Sequence, residues 1–209
     1  MRIIISGLEG VGKTSLCSEL KRRGYEVVGE GIDEVMEWYC KVNEKNEKTT
    51  WEAIERAEDV KMIEEWLFFQ KLPRIIHGYG KIFDRGLIDI LFYMKEDGEY
   101  WQVYAEKYKK FLRILRRQIE PTRWIYVPVK KEFWENSKLD EKHHRRPSHQ
   151  RLTYGEMLMR EDAFLKLYKE FGIDPEILPG ETTKERADYI EKMIKVEALQ
   201  LPVWEEEGL

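Results

Sequence analysis

Short hydrophobic runs rich in β-branched and aromatic side chains recur along this chain, and segments with helical periodicity separate them. Runs of this length and composition are typical of buried strands. They predict strands at residues 3–6, 25–28, 81–84 and 123–129, and a weaker one at residues 176–178. Because strands that alternate with helices form parallel β-α-β units, we predict a three-layer α/β/α sandwich around a parallel sheet of about five strands.

Two longer segments show hydrophobic residues at steps of three and four, which predicts amphipathic helices. In residues 101–120 the apolar stripe consists of Trp101, Tyr104, Tyr108, Phe111, Leu115 and Ile119. In the earlier segment it consists of Trp51, Ile54, Ala57, Val60, Ile63 and Leu67. Three helix starts carry a capping box, in which a Thr and the Glu three residues later satisfy each other's backbone amides. These pairs are Thr49 with Glu52, Thr153 with Glu156, and Thr182 with Glu185.

The length of 209 residues is enough for one substantial core, so we predict a single domain over residues 1–209. Residues 130–152 are polar and have little apolar periodicity, which indicates a mobile lid within that domain.

The charges are nearly balanced, with 36 basic and 40 acidic residues and a net charge of −4. Nucleic-acid and anionic-membrane binding both favour a strongly positive surface, so we expect neither partner. Cys17 and Cys40 are the only cysteines, and no apolar run is long enough to span a bilayer. The first residues turn glycine-rich after a short apolar run, so we expect no secretory leader. We therefore expect a cytoplasmic protein and leave a homodimer open.

Residues 7–14 read Gly-Leu-Glu-Gly-Val-Gly-Lys-Thr and satisfy the phosphate-binding P-loop pattern GxxxxGK[ST]. The motif follows a predicted strand and precedes a helix, which is the setting its chemistry needs. Glycines let backbone amides turn toward phosphate oxygens, and the start of the helix adds positive potential. We expect Lys13 to bind the β- and γ-phosphates and Thr14 to ligate Mg²⁺. The expected nucleotide-binding residues are Gly7, Glu9, Gly10, Val11, Gly12, Lys13, Thr14 and Ser15.

The predicted strand at residues 81–84 ends in Asp84, and Arg85 follows it. Binding sites of parallel sheets gather at the carboxyl ends of the strands. Asp84 is therefore a candidate Mg²⁺ ligand, directly or through water. Arg85 is a candidate for binding the substrate or the phosphoryl group in transfer.

The P-loop residues resemble those of thymidylate kinases. The segment Asp84-Arg85-Gly86, followed by Asp89 and Tyr93, is similar to a signature of thymidylate kinases, deoxynucleoside kinases and nicotinamide riboside kinase-like ATPases. This resemblance implies a phosphoryl-transfer site that uses ATP and Mg²⁺. It covers most of the chain in the order of elements, with its specific motifs confined to these two segments.

The resemblance also implies residues on the acceptor side. Glu30 follows the second predicted strand and would be the catalytic carboxylate, with Asp33 and Glu34 as nearby competitors. Phe69 and Gln70 are similar to residues that contact the base in deoxynucleoside kinases. Thymidylate kinases carry Arg-Glu-Pro-Gly after this strand, whereas this chain has Gly-Glu-Gly-Ile at residues 29–32. The missing arginine favours a nucleoside-like acceptor, although Arg74 or Arg85 could replace it as an anchor.

Two further segments complete the expected site. The polar stretch at residues 143–151 lies where related kinases carry a catalytic lid, which points to Arg145, Arg146 and Arg151. By the same resemblance, Gly180 would border the adenine.

We therefore expect a kinase that transfers the γ-phosphoryl group of ATP to a nucleoside or nucleotide. One rival is a GTP-binding switch protein, because residues 137–140 faintly resemble a guanine-reading motif. Their Ser137 replaces the usual Asn or Thr, which counts against it. A regulatory ATPase without an acceptor is the other alternative.

Overall fold

The computed structural model describes residues 1–42, 57–96, 99–132, 134–135 and 152–200. The strands are β1 (Arg2–Ser6), β2 (Val27–Val28), β3 (Ile82–Asp84), β4 (Thr122–Tyr126) and β5 (Glu176–Ile177). The helices are α1 (Lys13–Arg22), α2 (Ile32–Val42), α3 (Ala57–Ile76), α4 (Leu87–Glu96), α5 (Glu99–Gln118), α6 (Tyr154–Glu170) and α7 (Thr183–Gln200).

The strands form one parallel sheet in the order β2-β3-β1-β4-β5. Helix α1 packs against α7, whereas α4 packs against α3, α5 and α6. The central strand β1 is buried along its whole length, as expected for a strand covered on both faces. The prediction of a three-layer α/β/α sandwich with five parallel strands is confirmed.

Four strands are shorter than predicted, and the difference is largest for β2 and β4, whose pairing partners β3 and β1 limit them. β2 is an edge strand that pairs with β3 over two residues, although the Glu26 carbonyl still accepts a hydrogen bond from the Ile82 amide at 2.9 Å. β4 ends at Tyr126 rather than at residue 129. Its partner β1 ends at Ser6, whose carbonyl accepts the Val127 amide at 2.8 Å before the P-loop turns away.

The described side chains confirm the later part of each predicted helix face. Ile63 and Leu67 of α3 are buried, and so are Tyr108 and Leu115 of α5. The earlier members of both stripes, up to Val60 and up to Tyr104, lie outside the residues whose side chains are described.

In α5 the prediction was wrong at one position. The stripe runs through buried Leu112, while Phe111 is 39% exposed and contacts Phe68 from the margin of the core at 6.2 Å between ring centroids. Both choices fit helical periodicity, so spacing alone could not separate them.

At the end of the sheet opposite the P-loop, Arg2 connects β1 to the C-terminal ends of two helices. Its buried guanidinium donates to the Ile75, Ile76 and Ile119 carbonyls at 2.7–2.8 Å. These carbonyls lie at the ends of α3 and just beyond α5, where a cation also complements the helix dipoles.

The capping boxes of Thr153 with Glu156 and of Thr182 with Glu185 are present. The predicted box at Thr49 and Glu52, and most of the predicted lid, lie outside the described residues. Within the described parts of the chain, no helix combines the length and apolar character needed to cross a membrane.

Candidate active site

The P-loop connects β1 to α1 in a curled conformation. Gly7, Gly10 and Gly12 have φ values of 144°, 76° and 88°. Gly12 is the N-cap of α1 and has no side chain to cover the first amides of the helix. A Cβ on Gly7 would lie 2.6 Å from the Val127 carbonyl oxygen, so the turn leaves room for glycine alone. The loop is therefore curled, as a loop that binds phosphates through backbone amides would need to be.

Lys13 begins α1 and lies almost completely buried beneath this loop. Its Nζ donates to the Leu8 carbonyl oxygen at 2.5 Å. Burial, and then the nearby Arg85, lower the pKa of Lys13 from its ordinary value of 10.5 to about 8, against the opposing pull of Asp84 and Glu30. An anionic ligand beside a desolvated lysine would stabilise the charged form of the ammonium group, which favours binding of such a ligand.

Asp84 is the last residue of β3 and pairs with Ile5 of β1. Ile5 is the second-last residue of β1, the strand that leads into the P-loop. Burial, and then the Glu30 charge, raise the pKa of its carboxyl group. Its Oδ1 is buried without a hydrogen-bond partner in the described structure.

These features fit a hard divalent cation bound together with phosphates. Asp84 offers an unsatisfied oxygen, and the exposed Thr14 offers a hydroxyl at the start of α1. Mg²⁺ in nucleotide sites is commonly held by one or two such protein oxygens, with phosphates and waters completing the shell.

Arg85 connects the P-loop to the segment that follows β2. Its Nη1 donates to the Tyr93 hydroxyl at 2.8 Å and to the Gly7 carbonyl at 3.3 Å. Its Nε forms an ion pair with Glu30 Oε1 at 2.7 Å, in an orientation that is poor for a hydrogen bond. Burial alone would raise the pKa of Glu30, but Arg85, Lys13 and Lys71 outweigh it and hold that pKa below its ordinary value. Glu30 is therefore ionised at neutral pH.

The sequence interpretation missed Lys71 of α3. This side chain is 2% exposed, and it donates to the Asp84, Glu30 and Gly29 carbonyls, the last two at 3.2 and 3.4 Å. A signal was present in the sequence, because Lys71 falls on the same helical face as Leu67 and Ile75.

The residues expected to recognise a base occupy the part of α3 that faces α2. Gln70 Nε2 and Arg74 Nη2 both bind Glu34 Oε2, at 2.9 and 2.7 Å. Gln70 Oε1 lies 2.9 Å from the position that a Cβ on Gly31 would occupy. Phe69 is 61% exposed, whereas its neighbour Phe68 is buried in the core. This arrangement leaves the Phe69 ring accessible for stacking.

Two arginines, half-buried Arg160 and buried Arg186, connect other elements to the P-loop, and the sequence interpretation named neither. Arg160 of α6 ion-pairs with P-loop Glu9 and makes a bidentate pair with Glu96, both bonds being 2.6 Å. Arg186 of α7 donates to the Val11 carbonyl at 2.9 Å and to the Gly180 carbonyl at 3.3 Å.

Besides Phe69, Gln70 and Arg74 on α3, the predicted site residues fall into two groups. The P-loop, Glu30, Asp84 and Arg85 meet at the carboxyl edge of the sheet, and Gly180 is connected to the P-loop through Arg186. The predicted lid residues Arg145, Arg146 and Arg151 lie outside the described residues.

The fold is similar to that of several solved kinases. Deoxyadenosine kinase from M. mycoides with dCMP and dCDP bound superposes with a TM-score of 0.60 at 18% identity, covering 95% of this chain and 100% of that one. The YorR protein from Bacillus subtilis, in complex with phosphorylated GDP, gives a TM-score of 0.56 at 14% identity, covering 95% and 98%. Shikimate kinase from Aquifex aeolicus gives 0.51 at 15% identity, covering 95% and 99%.

At these identities the likeness shows the fold, and the resemblance to P-loop nucleoside and nucleotide kinases is confirmed at that level. Since the kinases named here carry the names of different acceptors, the fold does not fix the acceptor. The sequence matches none of the curated proteins compared with it. A family model described as an AAA domain matches residues 2–186. Because that match covers most of the chain, the protein belongs to this AAA domain family, and its fold is that of a P-loop kinase.

Proposed function

We propose that the protein is a phosphotransferase that moves the γ-phosphoryl group of Mg²⁺-bound ATP to a hydroxyl group of a nucleoside or nucleotide. The observation that carries this proposal is the Glu30–Arg85 ion pair at 2.7 Å, whose Arg85 also donates to the P-loop at Gly7. It brings a carboxylate that can accept a proton beside the loop that would hold the phosphates. A site that only bound nucleotide would need no such carboxylate.

In this proposal the described residues supply the phosphate grip and the proton acceptor of an in-line transfer. The P-loop amides and Lys13 would hold the phosphates, and Arg85, which donates to the P-loop at Gly7, would approach the group in transfer. The acceptor hydroxyl oxygen forms a bond to the γ-phosphorus, its proton passes to Glu30, and the bond to the β–γ bridging oxygen breaks to release ADP. Mg²⁺ held by Thr14 and Asp84 would screen the phosphate charges.

The charge pattern on the acceptor side favours an uncharged nucleoside over a nucleotide. Arg85 is paired with Glu30, and Arg74 is paired with Glu34 at 2.7 Å. A phosphomonoester would have to displace one of these carboxylates or approach it closely, which is most unfavourable at the Glu30–Arg85 pair, where the guanidinium is buried. A neutral hydroxyl-bearing acceptor avoids that repulsion, and the exposed Phe69 ring could stack on its base.

A panel of acceptors tests the proposal. The protein is incubated with Mg²⁺ and ATP and with deoxynucleosides, ribonucleosides, their monophosphates, nicotinamide riboside or shikimate, and both ADP and phosphorylated acceptor are quantified. We expect equal amounts of the two products with at least one nucleoside, and weaker transfer to the matching monophosphate. ADP release that responds to no acceptor would instead indicate a regulatory ATPase.

A further inference from the structure

The buried lysine on α3 has no part in the reaction described above. Removing an ammonium group from water is costly unless its donors are satisfied. Lys71 has three N–H donors, and its Nζ lies within hydrogen-bonding distance of the Asp84, Glu30 and Gly29 carbonyl oxygens. Since these carbonyls account for all three donors, we assign Lys71 no contact with a substrate.

The three carbonyls lie just beyond the last residues that two neighbouring strands pair with each other, where no strand pairing joins the two segments. Strands β2 and β3 are paired at Val27 with Ile82 and at Val28 with Phe83, and the ladder ends there. Gly29 and Glu30 follow the end of this ladder. The Lys71 side chain therefore connects the segment after β2 to the end of β3, where backbone hydrogen bonds between the two strands have stopped.

We propose that Lys71 is a positioning residue that fixes the main chain of Glu30 against that of Asp84 and Arg85. Its effect is to set the distance between the carboxylate that would take the acceptor proton and the groups beside the P-loop. The link itself rests on geometry, and its consequence for catalysis rests on the proposed function. Displacements of about 1 Å in such sites reduce turnover by about 100-fold.

Fold stability is a second reason for this lysine. Replacement by methionine keeps much of the side-chain volume, but it removes a charge that balances nearby Glu30 and Asp84 and leaves three carbonyls without their donor, so we expect some loss of stability. Water can replace part of the hydrogen bonding at the half-buried Gly29 and Glu30 carbonyls, whereas the bond to the Asp84 carbonyl is buried. A positioning role therefore predicts changes in local order and activity that are larger than the global loss of stability accounts for.

The experiment compares the wild-type protein with Lys71→Met, Lys71→Arg and the control Lys81→Met. Lys81 precedes β3 at the end away from the site and pairs with exposed Glu26. Hydrogen exchange is measured on peptides that cover residues 28–31 and 83–87, which include neither Lys81 nor Glu26, together with kcat and the KM for ATP. Melting temperatures are recorded for all four proteins.

We expect Lys71→Met to accelerate exchange in both peptides and to lower kcat by about 10- to 100-fold, with the KM for ATP within about threefold of wild type. Lys71→Arg keeps the charged donors, so it should recover part of the protection from exchange and part of the kcat. Lys81→Met should change neither the exchange rates nor kcat. Unchanged exchange in Lys71→Met would overturn the proposal. So would faster exchange throughout α1 and α7 with kcat falling only in step with stability. If the wild type phosphorylates no acceptor, the kinase proposal fails, while the exchange data still decide the role of Lys71.

Discussion

Arg85 is the residue on which the candidate site converges. It adopts a φ of 65°, a conformation that non-glycine residues rarely take and that costs on the order of 1 kcal/mol or more. Its amide donates to the Ile5 carbonyl at 2.9 Å, and its side chain contacts Glu30, Tyr93 and Gly7. These contacts stabilise the unusual backbone and direct the guanidinium toward the P-loop. The ion pair between Arg85 and Glu30 also keeps Glu30 ionised.

Glu30→Gln tests the proton acceptor at this scale. The amide keeps the size of the side chain but cannot take a proton, so we expect kcat to fall by about 100- to 10,000-fold with ATP affinity little changed. Asp33→Asn is the matched control, because Asp33 is an exposed carboxylate in the first turn of α2. Steady-state kinetics of the two variants decide between them. Equal losses would assign no special role to Glu30.

Lys13 gives a prediction about pH. Because the pKa of Lys13 is lowered to about 8, the free protein holds this lysine partly neutral above that pH. Bound phosphates favour the charged form, so ATP binding at about pH 8.5 should take up protons, and affinity should fall as pH rises through 8. Calorimetry in buffers of different ionisation enthalpy measures this uptake. Lys13→Met should abolish it, and an unchanged uptake in that variant would refute the assignment.

At the scale of elements, the turn from β1 into α1 sets the shape of the phosphate cradle. It places Gly7 against the first residue after β4, because Val127 continues the pairing with Ser6. The loop conformation thus depends on the sheet as well as on its own glycines.

Gly7→Ala should disrupt this turn. The added methyl group would clash with the Val127 carbonyl, and the φ of 144° at position 7 is strained for alanine. We therefore expect the free energy of unfolding to fall by about 1–3 kcal/mol and ATP binding to weaken. Gly155→Ala is the control, since Gly155 lies in the first turn of α6 and its nearest neighbour would be 4.0 Å away. Denaturant unfolding should show that variant to be as stable as the wild type or slightly more stable.

The sequence predicted the elements better than their ends and faces. The P-loop could be predicted because its chemistry is local, and the Asp84–Arg85 segment because it follows a strand. The end of β4 depends on where β1 turns away, and the burial of Leu112 in place of Phe111 depends on neighbouring helices. The role of Lys71 needs three carbonyls from distant segments, a coincidence in space that no local pattern encodes.

At the scale of the whole molecule, the strand order brings the ends of β2, β3 and β1 side by side. The carboxylate after β2, the Asp84–Arg85 segment and the P-loop therefore meet at one edge, where parallel sheets bind ligands. Helices α6 and α7, which precede and follow β5 in the chain, also reach this loop through Arg160 and Arg186. The P-loop is thus connected to both halves of the sheet.

The arginines at positions 145, 146 and 151 remain predicted lid residues. Replacing all three with alanine should lower kcat by about 1,000-fold or more if they stabilise the migrating phosphoryl group, since arginines in that role are worth that much. The Kd for ATP, measured by calorimetry, should stay within about threefold because the P-loop is untouched. A lysine triple variant serves as the control for charge. Full activity in the alanine variant would remove these residues from the site.

A crystal structure with Mg²⁺ and a non-hydrolysable ATP analogue tests the central claim most directly. We predict that the β- and γ-phosphates lie within the curl of residues 7–14, that Lys13 Nζ leaves the Leu8 carbonyl to bind them, and that Asp84 Oδ1 faces the metal directly or through one water. Phosphates bound elsewhere on the protein, or Lys13 still bonded to Leu8 with the metal remote from Asp84, would contradict the account.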